Sequence, residues 1–205
     1  MFRLAVFVSG RGSNLKAILD AISIKYLNVE ISAVFADKRE CGAVDLAANH
    51  NIPVYFVSKI FKENYILLEQ ASDVLINLKI DLVVLAGFLK KIPDNLVDHF
   101  TNKIINIHPA LLPSFGGEGM YGMNVHRSVF NASCKVSGAS VHFVDKVYDN
   151  GKIIAQSCVD ITDVKSPEEI AARVLEVEHK LLPFVIKKIS ENKITIVDNR
   201  VFILN

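Results

Sequence analysis

The sequence predicts an α/β fold: a mostly parallel twisted sheet with helices on both faces, completed by antiparallel strands toward the C-terminus. Three observations predict it. Apolar runs of strand length, Leu4–Val8 and Asp81–Ala86 among them, have the pattern of strands buried on both faces. Through the first half these runs alternate with segments of helical periodicity, the arrangement of a parallel sheet with crossover helices. Beyond residue 136 two alternating segments flank a turn, as in an antiparallel hairpin.

Taken in order, the first strand ends at Ser9-Gly10-Arg11-Gly12-Ser13-Asn14, and a helix follows over about 15–24, with Leu15, Ile18, Leu19 and Ile22 at helical spacing. Residues 29–35 read as a strand, 43–49 as a short helix and 54–57 as a short strand. A longer helix is expected over roughly 61–78, then the strand 81–86 closed by Gly87. Pro93 opens a helix to about Phe100, and the strand from Ile104 stops at His108-Pro109. The hairpin pairs 137–144 with 152–161, and Tyr148-Asp149-Asn150-Gly151 supplies its turn. Ser166-Pro167-Glu168-Glu169 is a capping box opening a helix to about Ser190, with an interruption expected near Pro183. The tail, 195–204, reads as a small hairpin turning at Asp198-Asn199.

Composition narrows the function. A chain of 205 residues with 51% apolar content suffices for one domain with a sizeable core. A net charge of +1, with Lys and Arg scattered, gives no polyanion-binding footprint, so no nucleic-acid partner is expected. Cys41, Cys134 and Cys158 have neither disulfide-framework nor zinc spacing. Met1-Phe2-Arg3-Leu4 runs straight into a strand without signal-peptide features, and no apolar run is long enough to span a bilayer. A soluble cytoplasmic protein with no membrane partner is the expectation.

Two stretches can carry chemistry. The glycine-rich 9–14 segment joins a strand to a helix N-terminus, where free N–H groups and the helix dipole suit a phosphate. It lacks the third glycine of the dinucleotide fingerprint, and a plain turn with Ser13 or Asn14 as helix cap would use the same residues. Asn106 and His108 stand two apart at a strand end, so their side chains share a face. An amide and an imidazole there can stabilise an oxyanion and move a proton, although a strand-end Asn and His also serve as loop caps. Asp149, Asp145 and Asp160 compete as carboxylate partners. His108, His126 and His142 lack the short ligand spacing of a zinc site, and Ser114 lacks the strand–turn–helix context of a nucleophile elbow, so no metal is expected.

Four segments in order then coincide: Ser9–Leu15, Val84–Phe88, Asn106–Pro113, and Gly138–Val144 followed by Asp149-Asn150-Gly151. Together they resemble the phosphoribosylglycinamide formyltransferases, folate-dependent enzymes of purine synthesis, over nearly the whole chain. The resemblance implies a single formyltransferase domain of Rossmann-like fold over 1–205. Residues 1–108 would form its phosphate-binding half, and 109–205 would carry the folate-site hairpin, the long helix and the C-terminal strands. It implies formyl transfer from 10-formyltetrahydrofolate, as co-substrate, to the amino group of glycinamide ribonucleotide. Asn106, His108 and Asp149 match the catalytic trio, with Asp149 raising the pKa of His108 as a nearby opposite charge. Gly12, Ser13 and Asn14 match the phosphate loop, and Glu178 a residue beside the ribose-glycinamide part. Leu85, Phe88, Leu89, Lys90, Lys91, Ile92, Asn106, Val144 and Tyr148 match the folate pocket.

The chain departs from the family pattern between Pro113 and His126, where a longer glycine-rich segment keeps only the second histidine of a His-x-His pair. Asn64 and Lys90 stand where arginine is common, and Leu175 where a polar residue is. Partners are expected to be small molecules, with the enzyme a monomer or homodimer. A formyltetrahydrofolate deformylase would carry an N-terminal regulatory domain, and a methionyl-tRNA formyltransferase a C-terminal domain and a more basic surface. A non-catalytic nucleotide-binding module would not need Asn106, His108 and Asp149.

Overall fold

The computed structural model describes residues 1–204. The chain divides into two compact units, 1–106 and 107–205.

In the first unit the elements are β1 (Phe2–Val8), α1 (Ser13–Ser23), β2 (Val29–Ala36), α2 (Gly42–Asn49), β3 (Val54–Ser58), β4 (Ile66–Leu67), a 3-10 turn (Leu68–Gln70), α3 (Ala71–Asn77), β5 (Leu82–Leu85), α4 (Asp94–His99) and the start of β6 (Ile104–His108). The strands lie in the order β4-β3-β2-β1-β5-β6, and each resolved pair is parallel. Leu4 to Val8 are all fully buried, so both faces of β1 are covered, as its uninterrupted apolar run requires. Phe7 stacks on Phe35 at 4.5 Å, and Phe88 meets Phe7 edge-on at 5.3 Å. The strand order reverses between β1 and β5. Registers pairing Phe7 with Leu85 and Val8 with Ala36 align their carboxyl ends. Such a reversal is where open α/β sheets bind ligands, and here it carries the 9–14 loop and the turn after Leu85.

The second unit holds the end of β6, α5 (Met123–Asn131), β7 (Val136–Phe143), β8 (Ile153–Asp160), α6 (Pro167–Ser190), β9 (Ile194–Val197) and β10 (Arg200–Ile203). β7 and β8 are antiparallel, and α6 packs on both. β9 and β10 form a separate antiparallel ribbon. Its turn is the expected Asp198-Asn199, both left-handed (φ 51° and 78°), the backbone a two-residue primed hairpin requires. The sheet continues from β6 to β7 and β8, giving a mostly parallel eight-stranded sheet with an antiparallel end.

Two sequence expectations fail locally. The helix over 61–78 is instead an irregular stretch, the short strand β4, a 3-10 turn and α3. Asn64 is left-handed (φ 60°), Phe61 is exposed, and Ile66 and Leu67 pair with Val57 and Ser58. Only Leu68, Ala71 and Leu75 make a buried helical stripe, so the periodicity upstream of them was accidental. Pro183 does not interrupt α6, which is continuous over 24 residues. Val185 and Ile186 just beyond it are fully buried, and that burial outweighs a helix-interior proline's cost of about 3 kcal/mol. The glycine-rich stretch before His126 gives way to α5, which begins after Gly122 and buries Val125, His126 and Val129. The N-cap half of the capping box forms, Ser166 Oγ accepting from Glu169 N–H at 3.3 Å, while Glu169 Oε2 accepts from Lys165 N–H, one residue before the cap, at 2.9 Å.

Candidate active site

In the second unit the functional side chains converge on Asp149. His108 ends β6 and is 3% exposed, and its Nδ1 lies 3.5 Å from Asp149 Oδ2. His142, near the end of β7, brings Nε2 to 3.5 Å from Asp149 Oδ1. Asp149 sits in the 144–152 connection between β7 and β8 with a left-handed backbone (φ 52°), which aspartate tolerates better than most residues. Its Oδ2 also accepts the N–H of Gly117 at 2.9 Å. His108 Nε2 is 2.8 Å from the carbonyl of Phe115. A carbonyl only accepts, so this contact places the ring proton on Nε2 and leaves Nδ1, facing Asp149, as the basic nitrogen. The His142 ring lies between two acceptors, Phe143 O at 2.8 Å from Nδ1 and Asp149 Oδ1 at 3.5 Å from Nε2.

Burial is the largest influence on His108 and lowers its pKa. The Asp149 charge and the Phe115 carbonyl raise it but do not overcome burial, and the His142 charge lowers it further. Asp149 thus raises the His108 pKa as expected of a nearby opposite charge, but burial outweighs it and the net shift is downward. Burial pushes Asp149 up, but the His142 hydrogen bond, the His108 charge and the Gly117 N–H together hold its carboxyl below the ordinary value. His126 on α5 is also shifted down, by burial and then by His108, and its Nδ1 is buried without a partner. The competing aspartates have structural roles. Asp145 Oδ1 accepts from Val147 N–H at 2.8 Å, and Asp160 Oδ1 from Thr162 N–H at 2.7 Å.

In the first unit Gly12 holds the N-cap position of α1 with φ +81°, and no side chain caps the helix. Ser13 and Asn14 are therefore the first two residues of the helix rather than its caps. A Cβ on Gly12 would lie 2.8 Å from Ala43 Cα, so glycine is required by space as well as by backbone. Gly12→Ala should lower stability by about 2–5 kcal/mol, from the left-handed backbone and the displaced α2; a urea midpoint within error of wild type would contradict this. The first-turn N–H groups have no intrahelical acceptor, which leaves an electropositive end for an anion. Leu89 N–H donates to Ser9 Oγ at 3.0 Å, tying the turn after β5 to the loop after β1.

The other sequence-predicted residues divide by environment. Leu85, Phe88 and Ile92 are buried, Leu89 and Tyr148 are exposed, and Val144 is half-buried. Lys90 lies 3.9 Å from Asp37, and Lys91 3.7 Å from Asp94 at the start of α4. Asn106 is half-buried on β6 two residues before His108, so the two side chains leave the strand on one side. Glu178 is buried on α6. Arg39 reaches the carbonyl of Asn64 at 3.4 Å and lies over the Phe56 ring at 4.6 Å. Sequence reasoning assigned no role to His142, the Phe115 carbonyl or the Gly117 N–H. His142 stood inside a quoted motif; the two backbone groups have no side-chain signature.

The fold and the buried histidine–aspartate cluster define a formyl transferase. The family model described as formyl transferase matches residues 2–186, and the chain belongs to that family. Phosphoribosylglycinamide formyltransferase of Haemophilus influenzae is 34% identical over 99% of this chain and 94% of its own length. The chloroplastic phosphoribosylglycinamide formyltransferase of Arabidopsis thaliana is 43% identical over 94% of the chain, which spans 66% of that relative's length. The crystal structure of phosphoribosylglycinamide formyltransferase from Anaplasma phagocytophilum superimposes with a TM-score of 0.89 at 35% identity, covering 100% of this chain and 94% of that one. Among the described residues no helix is long and apolar enough to cross a membrane.

Proposed function

We propose that the protein transfers the formyl group of 10-formyltetrahydrofolate to the amino group of N1-(5-phospho-D-ribosyl)glycinamide, a step of de novo purine synthesis, in the cytoplasm. The observation that carries this reading is the buried His108–Asp149 pair at 3.5 Å in a chain of the formyl transferase family.

The amine nitrogen attacks the formyl carbon, and the carbonyl electrons move onto oxygen. The Asn106 amide and the His108 Nε2–H donate to that oxyanion, with the formyl oxygen taking the place of the Phe115 carbonyl. The proton lost by the amine goes to the His108–Asp149 pair, where Nδ1 is the basic atom and the carboxylate stabilises the imidazolium. That new charge strengthens the Nε2 hydrogen bond as the oxyanion forms. Collapse breaks the bond from carbon to folate nitrogen, and the proton passes to that leaving nitrogen. Gly12, Ser13 and Asn14 would hold the phosphate and Glu178 the ribose-glycinamide portion. Leu85, Phe88, Leu89, Lys90, Lys91, Ile92, Val144 and Tyr148 would line the folate side.

Purified protein should consume 10-formyltetrahydrofolate only when the ribonucleotide is present, and produce formylated ribonucleotide and tetrahydrofolate in equal amounts. Formate release without ribonucleotide would replace this reading with a deformylase.

A further inference from the structure

The segment after His108 is held from the β7–β8 hairpin by a side-chain network that the proposed reaction does not use. Ser140 is fully buried on β7. Its hydroxyl donates to Ala110 O at 2.7 Å and accepts from Leu112 N–H at 3.0 Å. Gln156 stands opposite on β8, paired in register with Ser140. Its amide nitrogen donates both protons inward, to Leu112 O at 2.8 Å and to Ser140 Oγ at 2.9 Å. Gly138 removes the side chain that would block this approach: a Cβ there would lie 2.8 Å from Leu111 Cδ2. Residues 110–112 are therefore fastened to the hairpin through three successive peptide units. Three residues on, the same segment presents the Phe115 carbonyl to His108, and then the Gly117 N–H to Asp149. Phe115 is left-handed (φ 57°), a conformation its own side chain does not favour, so it depends on the flanking backbone being held.

We propose that Gln156 is a positioning residue: through Ser140 and the Leu112 carbonyl it fixes the segment 110–117, and with it the proton placement on His108. This rests on the formyl-transfer reading only for the role of His108, since the hydrogen-bond chain stands by itself. Gln156 lies on an exposed part of β8, so replacing it spares the core. The ionisable groups that influence or are influenced by His108 are Asp149, His142 and His126, and none of them is altered by the change.

The test uses two variants, Gln156→Met, which keeps length and removes the donors, and Gln156→Glu, which keeps shape and replaces donors by acceptors. Protein labelled with 15N-histidine is titrated without substrate, the His108 signals being assigned by their loss in His108→Ala. Wild type should show the Nε2–H tautomer alone. Both variants should show mixed tautomers, and Gln156→Met, which adds no charge, a His108 midpoint moved to lower pH, because the Phe115 carbonyl is one of the groups that raise it. Turnover should fall on the order of 10-fold with KM for both substrates nearly unchanged, the pattern of a misplaced reacting group. An unchanged His108 tautomer and midpoint overturn the proposal, whatever happens to turnover. Wild type that fails to formylate the ribonucleotide would overturn the reaction assignment and leave the tautomer result standing.

Discussion

Replacing His108 with Ala should lower kcat on the order of 10³–10⁴-fold while the protein stays folded. The magnitude combines one oxyanion donor with one proton-transfer group, each worth about 10²-fold and less than fully additive because both reside in one ring. The fold should survive because Asp149 keeps the Gly117 N–H at 2.9 Å and His142 at 3.5 Å. What is lost is the donor to the Phe115 carbonyl and the packing of the ring, about 1–3 kcal/mol. The pH dependence of stability should change in a defined direction. The folded His108 has a pKa below its ordinary 6.5. Its neutral form therefore costs the wild type nothing above that value, and stability is lost as pH falls from there toward the folded pKa. The Ala variant lacks that loss, so its urea midpoint should decline less than wild type between about pH 7 and pH 5. Initial rates and urea titrations check both parts. A variant retaining turnover within tenfold of wild type would remove His108 from the mechanism.

Much of this site is legible in the sequence, and what is not has physical causes. The uninterrupted apolar runs of β1 and β5 and the alternation with helices define the parallel sheet, because strands covered on both faces have no polar positions to spare. Asn106 and His108 are legible as a pair since a strand's period of two puts them on one side. The proximity of Asp149 to His108 is not: the two lie 41 positions apart, and only the antiparallel return of β7 and β8 brings them together. The net direction of the His108 shift is not legible in the sequence for a related reason. An opposite charge is visible in a sequence, but the depth of burial that outweighs it is a tertiary property. The false helix over 61–78 shows the same limit from the other side. Phe61, where that helix is expected to begin, is 87% exposed, and pairing with β3 decides the conformation of Ile66 and Leu67.

Asp149→Asn separates the charge of the carboxylate from its shape. Asparagine tolerates the left-handed backbone at this position, and its side-chain oxygen can still accept the Gly117 N–H, so the 144–152 connection should keep its form. The negative charge goes, and the oxygen that faces His142 becomes an NH2 donor. Without the charge the largest influence raising the His108 pKa is lost, and burial acts with less opposition. The His108 midpoint should therefore move further below that of wild type, and the imidazolium formed when the amine gives up its proton is no longer stabilised. Turnover should fall on the order of 10²–10⁴-fold. Stability carries an independent signature. The folded Asp149 has a pKa below its ordinary 3.8, so ionised Asp149 stabilises the fold above that value, and the contribution disappears as pH falls through the lower folded pKa. The variant should be less stable than wild type near neutrality, and the gap should close at strongly acid pH. A His108 midpoint that rises in Asp149→Asn would show that the carboxylate does not favour the imidazolium, and a kcat within a few-fold of wild type would show that it does not act on the reaction.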